Sequence, residues 1–340
     1  MKKVMASFGF KDRSSYRWPH STYLQDNGYV IPEENIYNVD DMEDVYEQSK
    51  DVIKNVDLVL IYNGFRDCIF PVTQATRDLN KDTIFAEVGL MPQKGHQFID
   101  NKGLFCESSL MGDIDWVNTH HVERFLQYRK DSMYTRYIDR VNKSENKFVL
   151  CPLQVEWDAQ VTRCTEFKNI DTIKWCVEHF PDDEIVVRAH PRDHQSNIES
   201  LHLQIMHLDH SNITFSCLPR DTKTFKIYNR EEDDTLTKEQ AEAHKKLHSK
   251  FAWSSYGLLE NCINAKAVVG LNSTSLIEAS LIGKEVICLG DCPMREHLGE
   301  VIPASFTKEK TKLFSAMYNS CYRWGDKQDA GLALRRFNLV

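Results

Sequence analysis

The sequence predicts an α/β protein built from two Rossmann-like domains, and three observations lead to this fold class. The chain has 340 residues, which is more than one domain usually contains. Short apolar runs alternate with helical patterns, as in sheets of buried parallel strands. The alternation begins again after a polar stretch at residues 141–147. We therefore place the first domain at residues 1–143 and the second at residues 144–340.

The predicted elements follow this alternation in order. In the first domain the pattern indicates strands at residues 4–8, 56–62 and 83–87, and helices at residues 41–54 and 116–140. In the second domain it indicates strands at residues 148–153, 184–188, 213–215, 267–271 and 285–289, and helices at residues 170–179 and 308–323. The charged stretch at residues 229–250 fits an exposed helix or loop, and also a mobile lid. We expect the carboxyl ends of both sheets to face a central cleft, and the C-terminal helix to cross back to the first domain.

The composition argues against several classes of protein. The formal net charge of -8 and the absence of a long Lys/Arg run argue against a nucleic-acid partner. No stretch approaches the roughly 20 apolar residues that cross a bilayer. Ten cysteines without CxxC spacing favour free thiols in a reducing compartment, so we expect a cytoplasmic protein. The Arg335-Arg336 pair leaves open a peripheral contact with the inner face of a membrane.

Three clusters of polar residues follow predicted strands, where ligands of doubly wound folds bind. The third cluster, Asn272-Ser273-Thr274, lies between a strand and a helix, so its backbone N–H groups and hydroxyls are placed to bind a phosphate. Gly283-Lys284, before the next strand, supports this interpretation. The same residues, with Glu278 one turn further on, also fit a helix N-cap box.

The other two clusters supply acids, a base and a cation. Gln154 and Asp158 follow the strand at residues 148–153, and Arg188 and His190 follow the next strand. Because a proline comes after His190, that histidine is held in a non-helical conformation. Asp158 and Glu87 are carboxylates at strand ends, one in each domain, as transfer of a sugar requires for a nucleophile or an acid/base. Asp158 alone also fits a helix cap.

On these residues the sequence resembles the bacterial capsule polysaccharide synthesis proteins, in particular the retaining β-Kdo (3-deoxy-D-manno-octulosonic acid) glycosyltransferases that use CMP-Kdo. The resemblance covers roughly residues 84–289, and its segments occur in the family's order. They are residues 87–93 with 99–103, the QxxxD of residues 154–158, the HP pair at residues 190–191, and residues 272–274 through Glu278 to Gly283-Lys284.

The resemblance implies a GT-B fold and a double displacement on a nucleotide sugar. In this scheme Asp158 attacks the anomeric carbon and Glu87 serves the acceptor hydroxyl as acid/base. His190, Ser273 and Thr274 would contact the donor phosphate, and Arg188 would neutralise the phosphate or the sugar carboxylate. Gln154, Asn272 and Glu278 complete the implied donor site. The implied partners are CMP-Kdo and a glycan or glycolipid acceptor, and no metal or other cofactor is expected.

Three alternatives remain on the sequence alone. A GT-B transferase using a UDP- or GDP-sugar would differ only in its contacts with the base. A nucleotide-sugar 2-epimerase also needs carboxylates and a histidine in the cleft. A non-catalytic module that binds a glycan or a nucleotide would use the same residues for affinity and would form no product.

Overall fold

The computed structural model describes residues 3–9, 19–144, 147–190, 193, 195–208, 212–216 and 256–338. The stretch at residues 229–250, interpreted above as a helix, loop or lid, lies outside the described residues. The described chain divides into two compact units. Unit 1 comprises Met1–Leu126 with Glu309–Val340, and unit 2 comprises Gln127–Lys308.

Strands and helices largely alternate along the chain, as predicted. The strands are β1 (Lys3–Gly9), β2 (Tyr29–Val30), β3 (Ile36–Asn38), β4 (Leu58–Tyr62), β5 (Asp82–Val88), β6 (His96–Asp100), β7 (Phe148–Pro152), β8 (Glu184–Arg188), β9 (Ile213–Ser216), β10 (Ala265–Gly270), β11 (Val286–Cys288), β12 (Val301–Ile302) and β13 (Cys321–Arg323). The helices are α1 (Pro19–Asp26), α2 (Val45–Ile53), α3 (Phe70–Asp78), α4 (Thr119–Asp131), α5 (Thr135–Val141), α6 (Ala159–Cys164), α7 (Asn169–His179), α8 (Gln195–Met206), α9 (Tyr256–Asn264), α10 (Thr274–Leu281), α11 (Pro293–Leu298), α12 (Lys308–Asn319) and α13 (Lys327–Arg335).

Unit 1 is built on a mixed sheet with the strand order β13-β6-β5-β4-β1-β2, and β3 also pairs with β1. Strands β1 to β5 pair with one another in parallel, whereas β6 and β13 run antiparallel to their neighbours. The core includes Leu58, Ile84 and Ile99 from the sheet together with Tyr322 and Leu334 from the C-terminal segment. Residues far apart in the sequence therefore share one core.

The C-terminal segment departs from the sequence prediction in one respect. The helix predicted at residues 308–323 ends at Asn319, and Cys321 and Tyr322 enter strand β13 opposite Phe98 and Gln97. This pairing satisfies the backbone of β6 at the edge of the sheet, which a helix could not do. Because β13 and α13 pack in unit 1, the C-terminal segment belongs to that unit, as expected.

The division between the units differs from the predicted boundary after residue 143. Packing places residues 127–143 in unit 2, where Arg140 on α5 forms two hydrogen bonds of 2.7 and 2.6 Å with Glu260 on α9. A polar stretch in the sequence marks a place where the chain is exposed, but side-chain contacts decide to which unit a helix belongs.

Unit 2 contains a sheet with the strand order β12-β11-β10-β7-β8-β9. Five of these strands are parallel, and β12 is antiparallel to β11. The first parallel strand in the chain, β7, lies at the centre, so the chain runs outward to β8 and β9 on one side and to β10 and β11 on the other. This is the Rossmann order, and the direction reverses between β7 and β10. Ligands of such sheets bind outside the carboxyl ends of the strands at this switch point.

Helix α10 packs closely on β10 at the switch point. A Cβ atom added at Gly270 would lie 3.2 Å from Leu276 Cδ2 and 3.4 Å from the Pro152 carbonyl oxygen. The sheet face below is filled by a cluster of apolar residues that includes Val149, Val187 and Val269. The absence of a side chain at Gly270 therefore brings the start of α10 next to the carboxyl end of β7.

The cysteines are mostly buried thiols. Cys68 is an exposed free thiol, and the buried free thiols of the described residues are Cys151, Cys176, Cys262, Cys288, Cys292 and Cys321. Cys106 and Cys164 are each disulfide-bonded, so the prediction of free thiols is wrong for each of them. Within the described ranges, no helix combines the length and the apolar character that a bilayer span requires.

Candidate functional site

Gln154 and Asn272 meet at the switch point of unit 2. Gln154 follows β7 and Asn272 follows β10, and the Asn272 backbone N–H donates to Gln154 Oε1 at 3.2 Å. Asn272 Nδ2 donates to the carbonyl oxygen of Gln160 at 2.8 Å, on helix α6. The structure therefore brings two of the predicted donor-binding residues together and ties both of their loops to α6.

Asn169 holds the loop that carries Gln154. Its Oδ1 accepts from the Gln154 backbone N–H at 3.2 Å, and its Nδ2 donates to the Gln154 carbonyl oxygen at 2.7 Å. The Asn169 backbone N–H in turn donates to Glu156 Oε1 at 3.0 Å. Sequence reasoning missed this residue. The sequence offered one signal, a single asparagine at the start of a predicted helix. An asparagine at that position more often caps the helix than forms hydrogen bonds with the backbone of a distant loop.

Asp158 ends the same loop with an exposed side chain. It is the N-cap of α6, and its Oδ1 accepts from the Gln160 backbone N–H at 2.9 Å. The alternative role of Asp158 as a helix cap is thus confirmed. Among the described residues, Asp158 Oδ2 accepts no hydrogen bond. Since capping engages one oxygen and leaves the carboxylate exposed, the cap does not prevent a chemical role for Asp158.

The start of α10 presents Ser273 and Thr274. Ser273 is the N-cap, and its Oγ accepts from the Ser275 backbone N–H at 3.2 Å. The acid of a capping box would stand three residues after the cap, where this chain has Leu276, so the interpretation of a full N-cap box is wrong. The first turn of α10 carries the positive end of the helix dipole, which favours an anion. Phosphate binding here stays a prediction.

Arg188 and His190 lie at the carboxyl end of β8, next to β7 in the sheet. Both residues are half-buried. The Arg188 guanidinium lies against α9, where a Cβ added at Gly257 would be 3.1 Å from Nη2. Burial lowers the pKa of Arg188. No carboxylate of the described residues pairs with Arg188, and a role of this cation in binding an anion stays a prediction.

Glu278 faces inward from α10 instead of toward the helix N-terminus. Its Oε1 accepts from the Tyr134 hydroxyl at 3.0 Å. Burial raises the pKa of Glu278 to about 7, and the hydrogen bond from Tyr134 acts in the opposite direction. The neighbouring Lys284 ammonium donates to the Ala265 carbonyl oxygen at 2.6 Å. Lys284, which the sequence suggested as support for a phosphate, thus has a backbone partner within unit 2.

Glu87 lies in unit 1, at the end of β5. Its Oε1 accepts from the Val88 backbone N–H at 2.8 Å. With the Asn63 amide assigned so that nitrogen faces the carboxylate, Asn63 Nδ2 donates to Glu87 Oε2 at 2.7 Å, and the Asn63 amide oxygen accepts from Arg66 Nε at 2.8 Å. Burial, and then the charge of Glu87, raise the pKa of Tyr62 to about 12. The carboxylate is therefore held in a defined orientation at the carboxyl end of the strand.

The two other motif segments of unit 1 have structural roles. Gly89 is buried, and a Cβ there would collide with the Pro92 carbonyl oxygen and lie 2.9 Å from His96 Cβ. Asp100 is fully buried, and its Oδ1 accepts from the backbone N–H groups of Lys102 and Ser109 at 2.8 and 2.9 Å. These segments build the support of β5 and β6, next to Glu87.

The described residues include no group of three or more His, Cys, Asp and Glu side chains arranged to hold a metal ion.

A scan of known protein families found no match to the chain, and a search of curated protein sequences found none either. Among solved structures, the chain is similar to Thermosulfurimonas dismutans KpsC, beta Kdo 2,7 transferase, with 14% identity and a TM-score of 0.53 over 98% of this chain and 99% of that chain. A second Thermosulfurimonas dismutans KpsC structure, beta Kdo 2,4 transferase, gives 14% identity and a TM-score of 0.51 over 92% and 89%. The UDP-GlcNAc 2-epimerase of Methanocaldococcus jannaschii covers both chains fully at 12% identity, with a TM-score of 0.38.

The two KpsC similarities span nearly the whole chain and show its fold. The prediction of an α/β protein of the GT-B fold class is thereby confirmed, and so, at the level of fold, is the resemblance to β-Kdo glycosyltransferases. The TM-score of the epimerase is too low to support an argument about this chain.

Proposed function

We propose that this protein is a glycosyltransferase that moves Kdo from CMP-β-Kdo to a glycan or glycolipid acceptor, with retention of configuration. The observation that carries the proposal is the position of the candidate donor residues. Gln154, Asp158 and Asn272 lie at the switch point of a Rossmann-ordered sheet, with Arg188 and His190 at the end of the adjacent strand. The fold shared with two KpsC β-Kdo transferases supports the same activity.

Asp158 is the proposed nucleophile. Its carboxylate oxygen forms a bond to the anomeric carbon as the bond from that carbon to the phosphate oxygen of CMP breaks, and CMP leaves with the electron pair. Glu87 then accepts the proton of the acceptor hydroxyl, whose oxygen attacks the same carbon and releases Asp158. Two inversions restore the starting configuration, and the reaction is divided into two easier steps. The exposed carboxylate of Asp158 supports this role.

Arg188, His190 and the start of α10 are proposed to stabilise the leaving CMP. A half-buried guanidinium without a carboxylate partner in the described part of the chain interacts more strongly with an anion than an exposed one would. The N–H groups and hydroxyls at Ser273 and Thr274 add the positive end of a helix dipole. Together these groups would bind the charge that develops on the phosphate in the transition state.

The first test is thermal stabilisation by CMP, UMP, GMP and their sugars. A ligand that binds only the native state raises the melting temperature, and at about 100 times its Kd it adds about 2.7 kcal/mol. We expect selective stabilisation by CMP and CMP-Kdo, followed by transfer of Kdo to a glycan acceptor. Selective stabilisation by UMP or GMP would overturn the donor assignment and keep a nucleotide-sugar enzyme.

The remaining outcomes separate the other functions. Conversion of a nucleotide sugar without any acceptor would identify an epimerase. Binding of a nucleotide or glycan without any product, across a panel of acceptors, would identify a non-catalytic binding module. If no nucleotide stabilises the protein, the proposed function is wrong.

A further inference from the structure

Tyr134 is a buried residue whose hydroxyl contacts the candidate donor site from a separate helix. It is the N-cap residue of α5, and it is 5% exposed. Its hydroxyl donates to Glu278 Oε1 at 3.0 Å, and Tyr128 lies near it. The hydroxyl therefore links α5 to α10 through the carboxylate of Glu278.

The charged groups around Glu278 do not replace this hydrogen bond. Cys262 lies within electrostatic reach of Glu278, Arg188 and Lys284: burial and Glu278 raise the pKa of its thiol to about 12, and the two cations act in the opposite direction. Lys284 Nζ, however, donates to Ala265 O and lies 3.4 Å from Ser144 Oγ. Among the described residues, Tyr134 makes the one side-chain hydrogen bond to Glu278.

The geometry leaves part of the carboxylate available to a ligand. Glu278 is half-buried, its Oε1 is held by Tyr134, and its Oε2 accepts no hydrogen bond from the described residues. Above its raised pKa, Glu278 is an ionised carboxylate, which accepts hydrogen bonds only, so the open oxygen then suits a hydroxyl donor. Fixing one oxygen orients the other before the ligand arrives, which reduces the entropy lost on binding.

We propose that Tyr134 is a positioning residue, which orients the Glu278 carboxylate to accept a hydroxyl group of the bound nucleotide sugar. The inference rests on the proposed donor role of Glu278. The substitution Tyr134→Phe keeps the buried ring and removes only the hydroxyl. Tyr137→Phe, on the same helix and equally buried, is the matched control.

The test is a double-mutant cycle on the full chain, with the Kd of CMP-Kdo as the readout. We expect Tyr134→Phe to raise this Kd about 10-fold, as for the loss of one hydrogen bond to a charged group, and Tyr137→Phe to leave it unchanged. In a protein that already carries Glu278→Gln, Tyr134→Phe should raise the Kd by less than about 2-fold further, because the carboxylate that Tyr134 orients is already absent.

Two results would overturn the inference while leaving the proposed function intact. One is an unchanged Kd in Tyr134→Phe or in Glu278→Gln, with CMP-Kdo still bound by the unmodified protein. The other is that Tyr134→Phe weakens CMP-Kdo binding by the same factor in the unmodified protein and in Glu278→Gln. This result would show that Tyr134 has only a structural role. If the unmodified protein binds UMP or GMP instead of CMP, the donor assignment fails, and the same cycle with that nucleotide still decides the role of Tyr134. If it binds none of the three, both proposals fail.

Discussion

Asp100 and Arg336 form an ion pair inside unit 1, with Arg336 Nη2 3.1 Å from Asp100 Oδ2 and side-chain exposures of 0% and 5%. The guanidinium also donates to the Ile99 carbonyl oxygen at 2.6 Å and lies over the ring of Phe337. Arg336 thus connects the C-terminal segment to β6. A cation buried in this way is not available to contact a membrane surface, so the Arg335-Arg336 pair gives no support to membrane contact.

Removing this cation should destabilise the protein strongly. Arg336→Ala leaves the fully buried carboxylate of Asp100 without its ion-pair partner, and breaking a buried pair costs about 3–5 kcal/mol. We expect a large decrease in the midpoint of urea unfolding. Arg335→Ala, at an exposed neighbouring position, should leave the midpoint nearly unchanged. Equal midpoints for the two variants would contradict a stabilising role of the pair.

Gly89 should not tolerate a side chain. In Gly89→Ala the new methyl group would collide with Pro92 O and crowd His96, so we expect a loss of about 1–3 kcal/mol in the free energy of unfolding. Glu87 lies two residues earlier, and a shift of this backbone should also lower transfer activity. Gly112→Ala is the control, because its methyl group would meet only Ser109 O, at 3.7 Å. Similar stabilities of the two variants would disprove the steric argument.

The chemical and structural roles of Asp158 can be separated by one substitution. Asn is as good an N-cap as Asp, so Asp158→Asn keeps the cap of α6 and removes the nucleophile. We expect thermal stability and CMP binding to be retained, while transfer falls by at least about 1,000-fold. Asp182→Asn, at an exposed position of unit 2, should remain fully active. Substantial transfer by Asp158→Asn would remove Asp158 from the mechanism.

Glu278 should make stability depend on pH in a defined window. Burial raises its pKa from 4.5 to about 7, so the folded protein retains a proton on Glu278 that the unfolded chain has already lost. Stability therefore decreases as the pH rises from 4.5 to 7, by up to about 3 kcal/mol. Glu278→Gln removes this pH-dependent part of the unfolding free energy, so the variant should be more stable than the unmodified protein at pH 7.5 and similar to it at pH 4.5. Unfolding free energies of both proteins at the two pH values measure the difference. If stability changes equally with pH in both proteins, Glu278 is not the cause of the pH dependence.

The longer parallel strands of both sheets were predictable from the sequence because they are buried on two faces and read as continuous apolar runs. Residues 184–188 were predicted as a strand and form β8, and the run at residues 56–62 contains β4. The short strands β2, β3, β6, β12 and β13 were not predicted. Part of the stability of β6 and β13 comes from antiparallel pairing with each other, between residues more than two hundred positions apart, which no local pattern records.

The positions of the candidate site residues at strand ends were predictable for the same reason, but their contacts were not. Gln154 and Asn272 could be placed after β7 and β10 from the apolar runs that precede them. Two of these contacts depend on how helices pack on the sheet. They are the pair of hydrogen bonds between the Asn169 side chain and the Gln154 backbone, and the hydrogen bond from Tyr134 to Glu278. Side-chain directions of this kind follow from tertiary contacts rather than from sequence spacing.

Because the two ends of unit 1 share one core, that core cannot be completed until the C-terminal segment has been synthesised. As the chain leaves the ribosome, all of unit 2 is made before β13 and α13, which complete the sheet and core of unit 1. Until then β6 is an open edge, and open edges recruit other strands. A nascent chain stalled before residue 321 would thus carry one complete unit and one that exposes an unpaired strand, which is a substrate for chaperones.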